Sequence, residues 1–391
     1  MASKGMKRAL LILVMLVAVL VAGPQARAAV VVSDVDGLVS AVSQAAQGGD
    51  TEILLADGTY TLDNMLWVEA NGLTVRSQSG DRDAVIIQGQ GMTGGVSHIF
   101  NVAGTDFTVR DMTLRLVANH AVQLQPSATG ATILNLVIQD TGEQMIKGSW
   151  DSNDPDTAAD NGRVEGCLFQ YTAGIGPQYY IGGIDVHRAR NWVVRSNTFM
   201  YIRSPEEDLA EYAIHFWSNA ENTLVERNTI INCDRGIGFG LGDRGHQGGI
   251  IRNNAIYHDG SDGHHDVGIC LESAQDAQVY NNTIYLRHDY PNAIEYRYAE
   301  TTGLYIANNL TNRAITSRDG GSATVTTNVT DAQEGWFRNL EAADLYPAYA
   351  VPEVVDRGLA IEGLVDDHDG RDRPQGAGYD IGAYEYVEEE G

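Results

Sequence analysis

Short β-branched segments recur along residues 107–310 at intervals of 24 to 31 residues, and this repeat constrains the fold more than any other feature. When the segments are laid over one another, they share an apolar residue near the start and a second one five residues later. The first column is Val109, Ile133, Val164, Val194, Val225, Ile251, Val279 and Tyr305. The second column is Leu114, Ile138, Phe169, Phe199, Ile230, Ile256, Ile284 and Leu310. One supersecondary unit stacked repeatedly on itself produces such columns.

Asparagines fill another column of the repeat, three residues after the first apolar one. They are Asn197, Asn228, Asn254, Asn282 and Asn308. Each amide in such a ladder can bond the next amide and the backbone, which satisfies polar groups that stacking would bury. Crossovers between parallel strands are right-handed in the great majority of proteins. We therefore predict an all-β fold, a right-handed parallel β-helix of about ten coils.

Composition excludes several classes of function. The 391 residues include 52 acidic and 26 basic ones, which gives a formal charge of −26. Nucleic-acid binding needs a basic footprint that this composition lacks. Hydrophobic residues make up 43% of the chain, too many for a disordered protein. We predict a folded, acidic protein with no nucleic-acid partner.

The N-terminus predicts the compartment. Basic residues precede the apolar run 9–22, and the small-residue site Ala26-Arg27-Ala28 follows it. This order is typical of a cleaved secretory signal, and the alternative is a retained membrane anchor, for which the run is short. We predict a signal peptide at residues 1–28 and a secreted protein, extracellular or periplasmic. We expect a monomer without membrane contact after the signal is removed.

The rest of the chain divides into three parts. An amphipathic helix and a first strand predict an N-terminal cap over residues 29–69, because solenoids need covered ends. The β-helix repeats follow over residues 70–320, and a C-terminal extension covers residues 321–391. Three cysteines without a CxxC motif indicate neither a disulfide framework nor a zinc site.

A further apolar column marks a second strand in each coil: Val122, Ile146, Ile184, Ile214, Ile237, Ile269, Ile294 and Ile315. Because side chains alternate along a strand, the residues one and three places later point outward. The first outward row is Gln123, Lys147, Asp185, His215, Gly238, Cys270, Glu295 and Thr316. The second is Gln125, Ser149, His187, Trp217, Gly240, Glu272, Arg297 and Arg318. We predict that the rows line a groove for several sugar units, walled by the polar loops 151–160, 203–211, 242–247 and 258–266.

These features resemble a known group of proteins. The cap helix followed by residues 53–60 (ILLADGTY), the asparagine-rich rungs and the closing residues 366–386 resemble secreted bacterial β-helix proteins of the pectate-lyase type. Lys147 on one rung and Asp185-Val186-His187 on the next are similar to mannuronan C-5-epimerases and related alginate lyases. The resemblance implies a lyase or C-5-epimerase that acts on a uronic-acid-containing polysaccharide.

The chain departs from the epimerase pattern at two positions. Those enzymes have a tyrosine three residues before the aspartate and usually a proline between the aspartate and the histidine. Here Gly182 and Val186 stand instead, and Tyr179 and Tyr180 lie close by. The identity of the proton donor is therefore open.

The outward residues suit the first step of either reaction. The C-5 proton lies next to a carboxylate, which a cation or metal must neutralise before a base takes the proton. We assign His187 as the base, with Asp185 orienting an imidazole. Lys147 or Arg235 would neutralise the carboxylate, and His215 would be a second acid or base.

Further residues are expected to bind the substrate. Trp217 is predicted to be an exposed indole that stacks on a sugar ring. Glu272, Glu295 and Arg297 continue the track, and Gly238 either deepens the groove or permits a tight turn. The loop 258–266 has enough Asp and His for calcium or a transition ion, although no EF-hand register fits. No cofactor is certain, and calcium is the one that we consider.

Two alternatives stay open at this point. A glycoside hydrolase needs two carboxylates about 5 to 5.5 or 6.5 to 9.5 Å apart, and Glu272 and Glu295 on adjacent rungs are the available pair. A noncatalytic surface protein that binds polysaccharide would have the same fold, since the fold does not define the function. Polar groups such as Lys147 and His187 also occur on any solvated strand face.

Overall fold

In a computed structural model, described for residues 29–154, 156–261 and 265–388, the chain folds as a parallel β-helix. Each turn adds one strand to a ten-stranded parallel sheet that carries the outward rows, here called the site sheet. Its strands are Leu66–Val68, His98–Val102, His120–Leu124, Ile146–Gly148, Ile184–His187, Ile214–Trp217, Ile237–Phe239, Ile269–Glu272, Asn292–Arg297 and Ala314–Arg318. The all-β fold of about ten coils is confirmed.

The other strands of each turn form a twenty-stranded sheet. Its strands are Val30–Val32, Glu52–Leu55, Gly58–Thr61, Thr74–Ser77, Val85–Gln88, Thr108–Val117, Thr132–Thr141, Arg163–Glu165, Leu168–Gln170, Val193–Arg195, Thr198–Met200, Leu224–Glu226, Thr229–Ile231, Ile250–Arg252, Ala255–His258, Gln278–Tyr280, Thr283–Leu286, Leu304–Ala307, Leu310–Thr311 and Ala323–Thr326. Two smaller sheets comprise Ala220–Glu221, His246–Gln247 and Ala274–Gln275, and then Phe337–Asn339 and Asp344–Pro347.

The predicted apolar columns form the interior of the coil. Val109, Ile133 and Val164 pair in register, and all three are fully buried. Phe169 and Phe199 stack on adjacent rungs with their ring centroids 4.5 Å apart. Stacked identical positions thus supply the packing that a globular core would otherwise provide.

The asparagine ladder is confirmed, with one correction at its end. Asn228 Nδ2 donates to Asn254 Oδ1 at 3.0 Å, and each amide on the ladder repeats this bond to the next rung. The residue that follows Asn282 in the ladder is Asn309, not Asn308, and Asn328 extends it further.

The same one-residue shift corrects both apolar columns at this rung. Val279 pairs with Ile306 instead of Tyr305, and Ile284 pairs with Thr311 instead of Leu310. The physical reason is the turn residue that precedes each ladder asparagine and has a left-handed backbone conformation (positive φ). This turn residue is Asn281 in one rung and Asn308 in the next. Asn308 is thus the turn residue, which places the following asparagine inside.

The N-terminal end of the coil is covered by a helix, Val35–Ala46. The side chain of Asp34 caps this helix by accepting a hydrogen bond from the amide of Gly37 at 2.7 Å. Leu38 and Val42 are among the side chains that the helix buries. No helix within the described ranges is long and apolar enough to cross a membrane. The predicted signal peptide at residues 1–28 lies outside the described residues.

The C-terminal residues return along the coil. Arg373 and Glu385 form a fully buried ion pair at 2.6 Å, and Arg373 also donates to Asn253 Oδ1 at 3.0 Å on the outside of a rung. The three cysteines are buried and free, so no disulfide contributes to this arrangement. Two short 3₁₀ helices, Glu334–Trp336 and Leu340–Ala342, lie in the same region.

Candidate functional site

The register of the site sheet brings the predicted residues together. Lys147 pairs with Asp185, Asp185 pairs with His215, and His187 pairs with Trp217. Adjacent rungs are about 4.8 Å apart, so these residues lie on three consecutive rungs of one face. We call Lys147, Asp185, His187, His215 and Trp217 the Asp185 cluster.

Asp185 is the centre of this cluster. Lys147 Nζ donates to Asp185 Oδ2 at 2.6 Å, and Trp217 Nε1 donates to Oδ1 at 2.6 Å. Burial by itself would raise the pKa of Asp185, but Lys147 and the imidazoles of His215 and His187 outweigh it and lower that pKa to about 2. A buried aspartate with these partners is a fixed negative charge that positions its neighbours.

The imidazole of His187 is neutral at neutral pH. Burial lowers its pKa to about 4, although the charge of Asp185 opposes the shift. Its ring lies against Trp217, with the centroids 4.2 Å apart, and its Nε2 atom has no hydrogen-bond partner. A neutral imidazole with an unpartnered nitrogen can accept a proton.

His215 offers a second nitrogen. Its Nε2 lies 3.1 Å from the carbonyl oxygen of Gly240, which can only accept, so Nε2 carries the hydrogen and Nδ1 the lone pair. Nδ1 is buried without a hydrogen-bond partner, 3.8 Å from Glu211 Oε2. The arrangement fixes the tautomer in which Nδ1 can accept a proton.

Trp217 points away from the coil interior as predicted, but its ring is covered. His215 stacks on it with an interplanar angle of 8°, and the Arg244 guanidinium lies 4.1 Å from its centroid. Trp217 is half-buried and not the exposed indole that was predicted, because side chains of neighbouring rungs and of a loop pack against its ring.

A cavity of about 410 Å³ lies beside the Asp185 cluster. It is lined by Tyr212, Arg235, Leu241, Gly242, Asp243, Arg244, Asp266, Cys270, Glu272, Glu295, Arg297 and Tyr298. Arg244 joins cavity and cluster, since it lines the cavity and covers Trp217. Residues of the predicted loops 242–247 and 258–266 contribute to the wall.

Arg235 and Tyr212 form the inner part of this cavity. Arg235 lies 3.5 Å from Asp266 Oδ2 and 5.4 Å from the centroid of the Tyr212 ring. Burial raises the pKa of Tyr212 well above its usual value, so the phenol is protonated at neutral pH. It is a buried proton source.

Tyr212 was missed by the sequence reasoning, although a signal was present. It stands three residues before His215, as Gly182 stands three residues before Asp185 on the preceding rung. A Cβ atom at Gly238 would lie 2.8 Å from the Tyr212 ring, so this glycine leaves room for the phenol. The ring of Tyr212 therefore occupies the space that Gly238 was predicted to open as groove.

The exposed tyrosines of the preceding loop have a different setting. Tyr179 and Tyr180 lie with their ring centroids 6.4 Å apart, and both are exposed. Tyr212 is buried, and its ring lies 4.8 Å from that of His215. Tyr212 is therefore the better placed proton donor.

The carboxylates farther along the rows are held by arginines. Glu272 accepts from Arg297 at 3.1 Å and from the amide of Gly242 at 2.6 Å. Glu295 accepts from Arg318 at 2.8 Å and, as its shortest contact, from the hydroxyl of Tyr290 at 2.5 Å. Both carboxylates thus have charge-assisted partners within the protein.

Buried polar atoms without a hydrogen-bond partner concentrate here. Within the described ranges, Gln144, Arg235 and Asp266 have such atoms in addition to His187 and His215. Nearly all buried polar groups in proteins have a partner. A cluster of unpartnered ones on neighbouring rungs is the pattern of a site that a polar ligand completes.

Metal binding finds no support in the part of the chain that the structure describes. Over residues 29–154, 156–261 and 265–388, no group of three or more His, Cys, Asp or Glu is arranged to hold a metal ion. Residues 262–264 of the predicted metal-binding loop lie outside the described residues. A calcium requirement stays a prediction.

Comparison with known proteins identifies the fold. The family described as "Right handed beta helix region" matches residues 182–335, which confirms the predicted handedness, and no curated protein sequence matches the chain. The alginate lyase from Paenibacillus sp. str. FPU-7 aligns with a TM-score of 0.53 and 17% identity, over 77% of this chain and 99% of that one.

Two further structures are similar. PfbA, a surface adhesin of Streptococcus pneumoniae, aligns with a TM-score of 0.50 and 12% identity, over 75% of this chain and 85% of that one. The Azotobacter vinelandii mannuronan C-5 epimerase AlgE4 A-module has a TM-score of 0.46 and 14% identity, over 76% and 91%. At these identities the likeness to the alginate lyase and to PfbA shows a common fold and no more.

Proposed function

We propose that this right-handed parallel β-helix acts on a uronic-acid-containing polysaccharide by removing the C-5 proton, as a lyase or a C-5-epimerase. One observation carries the proposal. Tyr212, a buried protonated phenol, and Arg235 line one cavity, and Arg244 of the same lining covers Trp217, against which the neutral imidazole of His187 with its unpartnered nitrogen lies. Base, acid and cation are the three groups that this chemistry needs.

Arg235 is the better candidate to neutralise the substrate carboxylate. It lines the cavity, and its Nε lies 3.5 Å from Asp266 Oδ2 without a hydrogen bond, so this ion pair is looser than that of Lys147. Lys147 is bound to Asp185 at 2.6 Å, so its charge is already compensated. We therefore assign Lys147 to holding Asp185, and Arg235 together with Arg244 to the carboxylate.

The proton would leave C-5 for Nε2 of His187, and the electron pair would spread into the neutralised carboxylate. In a lyase, the C-4 to oxygen bond then breaks, a double bond forms between C-4 and C-5, and the Tyr212 phenol protonates the leaving oxygen. In an epimerase, a proton returns to C-5 from the opposite face. His215 Nδ1 is the alternative base, one rung away from His187.

The hydrolase alternative fits the site less well. A glycosidase needs one carboxyl group that carries a proton to the leaving oxygen. Glu272 and Glu295 are each engaged by an arginine of the protein, at 3.1 Å and 2.8 Å. Neither is placed as a proton donor.

Incubation with a panel of uronate polysaccharides tests the proposal. Ultraviolet absorbance from unsaturated ends indicates a lyase, and incorporation of solvent deuterium at C-5 without cleavage indicates an epimerase. New reducing ends without that absorbance would support the hydrolase. Binding with neither deuterium incorporation nor cleavage would contradict the proposal and favour a noncatalytic protein.

Tyr212→Phe tests the assigned donor. The variant keeps the ring that packs over Gly238 and removes only the hydroxyl, so turnover should fall by about 10² to 10⁴. Exchange of the C-5 proton with solvent should persist, because the base is intact. Tyr179→Phe, at an exposed tyrosine, is the matched control and should leave turnover unchanged. Wild-type turnover in Tyr212→Phe would remove this residue from the mechanism.

A further inference from the structure

Trp67 lies on the same outward row as the Asp185 cluster. It pairs with Asn101, Asn101 pairs with Gln123, and Gln123 pairs with Lys147, all in parallel register. Three rungs therefore separate Trp67 from Lys147, and two more separate Lys147 from His215, whose coil carries the first residue that lines the cavity, Tyr212. The distance from Trp67 to this coil is about 24 Å along the β-helix. A polysaccharide chain of a few sugar units that follows the row reaches both.

The surroundings of Trp67 differ from those of Trp217. Its side chain is 43% exposed, and the neighbouring Met65 is 39% exposed. A cavity of about 410 Å³ separates this strand from the cap helix, with Val39 and Val42 on the helix side. Exposed large aromatic side chains beside a concave apolar surface mark binding sites.

The row between the two sites is neutral. Gln125 Nε2 donates to Asn101 Oδ1 at 2.8 Å, and Gln123 Nε2 donates to Ser149 Oγ at 2.7 Å. Asn101 and Gln123 are buried, whereas Gln125 and Ser149 are half-buried and offer an amide and a hydroxyl, groups that match sugar hydroxyls. Because the outward row is continuous and polar from Trp67 to the Asp185 cluster, we infer that one polysaccharide chain contacts both.

We propose that Trp67 forms a distal subsite that binds a sugar ring of the polysaccharide whose reacting unit occupies the cavity beside the Asp185 cluster. The inference rests on the proposed function. The indole face packs against the C–H face of a sugar ring. Glu69 also lines the cavity, and its charge disfavours a uronate carboxylate that is directed at it.

Kinetics on substrates of two lengths test the subsite. Trp67→Ala should raise KM for the long polymer roughly tenfold, the equivalent of about 1.4 kcal/mol, with kcat unchanged. Oligosaccharides too short to span five rungs should be turned over as by the wild type. Trp67→Phe should retain most of the affinity. Tyr349→Ala removes another exposed aromatic, in the C-terminal extension, and serves as the control.

Salt separates this contact from the charged ones. The loss in Trp67→Ala should persist at high ionic strength, because stacking is not screened as ion pairs are. An unchanged KM for the polymer, or an equal loss on short oligosaccharides, would refute the subsite. So would a change of oligomeric state in Trp67→Ala, since the patch would then bind a second copy of the chain.

Affinity electrophoresis in gels that contain the polymer distinguishes the two proposals. If the polymer retards the wild type but not Trp67→Ala, and the wild type shows no turnover, the proposed activity is refuted and the subsite is supported. Turnover with unchanged retardation of Trp67→Ala would refute the subsite alone. No retardation and no turnover on any uronate polymer would refute both.

Discussion

Replacement of Asn228 by leucine tests what the asparagine ladder contributes to stability. Asn228 is fully buried, and its side chain makes bonds in both directions along the coil. Its Oδ1 accepts the backbone amide of Asn197 at 3.0 Å, and its Nδ2 donates to the carbonyl of Val194 at 3.0 Å. Leucine has a similar size but supplies neither bond.

The loss can be estimated from these bonds. The amide of Asn197 and the carbonyl of Val194 each lose a partner in the interior, at about 1 to 3 kcal/mol for each group. Asn254 Oδ1 keeps the backbone amide of residue 228. The free energy of unfolding should therefore fall by about 2 to 6 kcal/mol.

Urea denaturation followed by far-ultraviolet circular dichroism measures the change. Asn64→Leu is the matched control, because Asn64 is exposed and lies outside the ladder, and it should stay within about 0.5 kcal/mol of the wild type. Asn228→Leu should keep its activity where it is folded, since the ladder is on another side of the coil from the site sheet. A change below about 1 kcal/mol would refute the view that the ladder satisfies otherwise unpaired groups.

Other predictions concern charge. His187→Ala removes a neutral ring, so it should abolish turnover on a confirmed substrate and keep the fold; wild-type turnover would exclude this base. Lys147→Ala should also lower the free energy of unfolding by about 3 to 5 kcal/mol, because it leaves the carboxylate of Asp185 buried and unpaired. The double variant Lys147→Met with Asp185→Asn should restore the stability but not the turnover. Melting temperature and activity of both variants measure this. Burial, with neighbouring imidazoles and arginines, lowers the pKa of His258 to about 4 and that of His288 to about 2. As the pH falls, these two histidines are protonated in the unfolded chain before they are protonated in the folded one. The free energy of unfolding should therefore fall below about pH 6.5, by up to about 1.4 kcal/mol per pH unit for each group. A urea midpoint that does not change between pH 7 and pH 4 would contradict this.

The sequence by itself determined the fold and the register of the site sheet. Side chains alternate along a strand, and each coil stacks on the previous one, so an apolar column fixes which residues face outward on every rung. For this reason the sequence predicts Lys147, Asp185 and His215 on neighbouring rungs, and the structure pairs them there. The predicted ladder position at Asn308 is wrong by one residue, because both asparagines of the pair 308–309 fit the column and only the positive φ of Asn308 decides between them.

The tertiary structure decided what each outward side chain contacts. A column position gives the direction of a side chain but not the rotamers and loops that cover it, and Arg244 of a loop covers Trp217. Tyr212 likewise became a candidate only when its ring was found beside His215, above a glycine of the next rung. Burial then set the protonation of Tyr212 and His187, because desolvation depends on packing from distant parts of the chain and not on the local sequence.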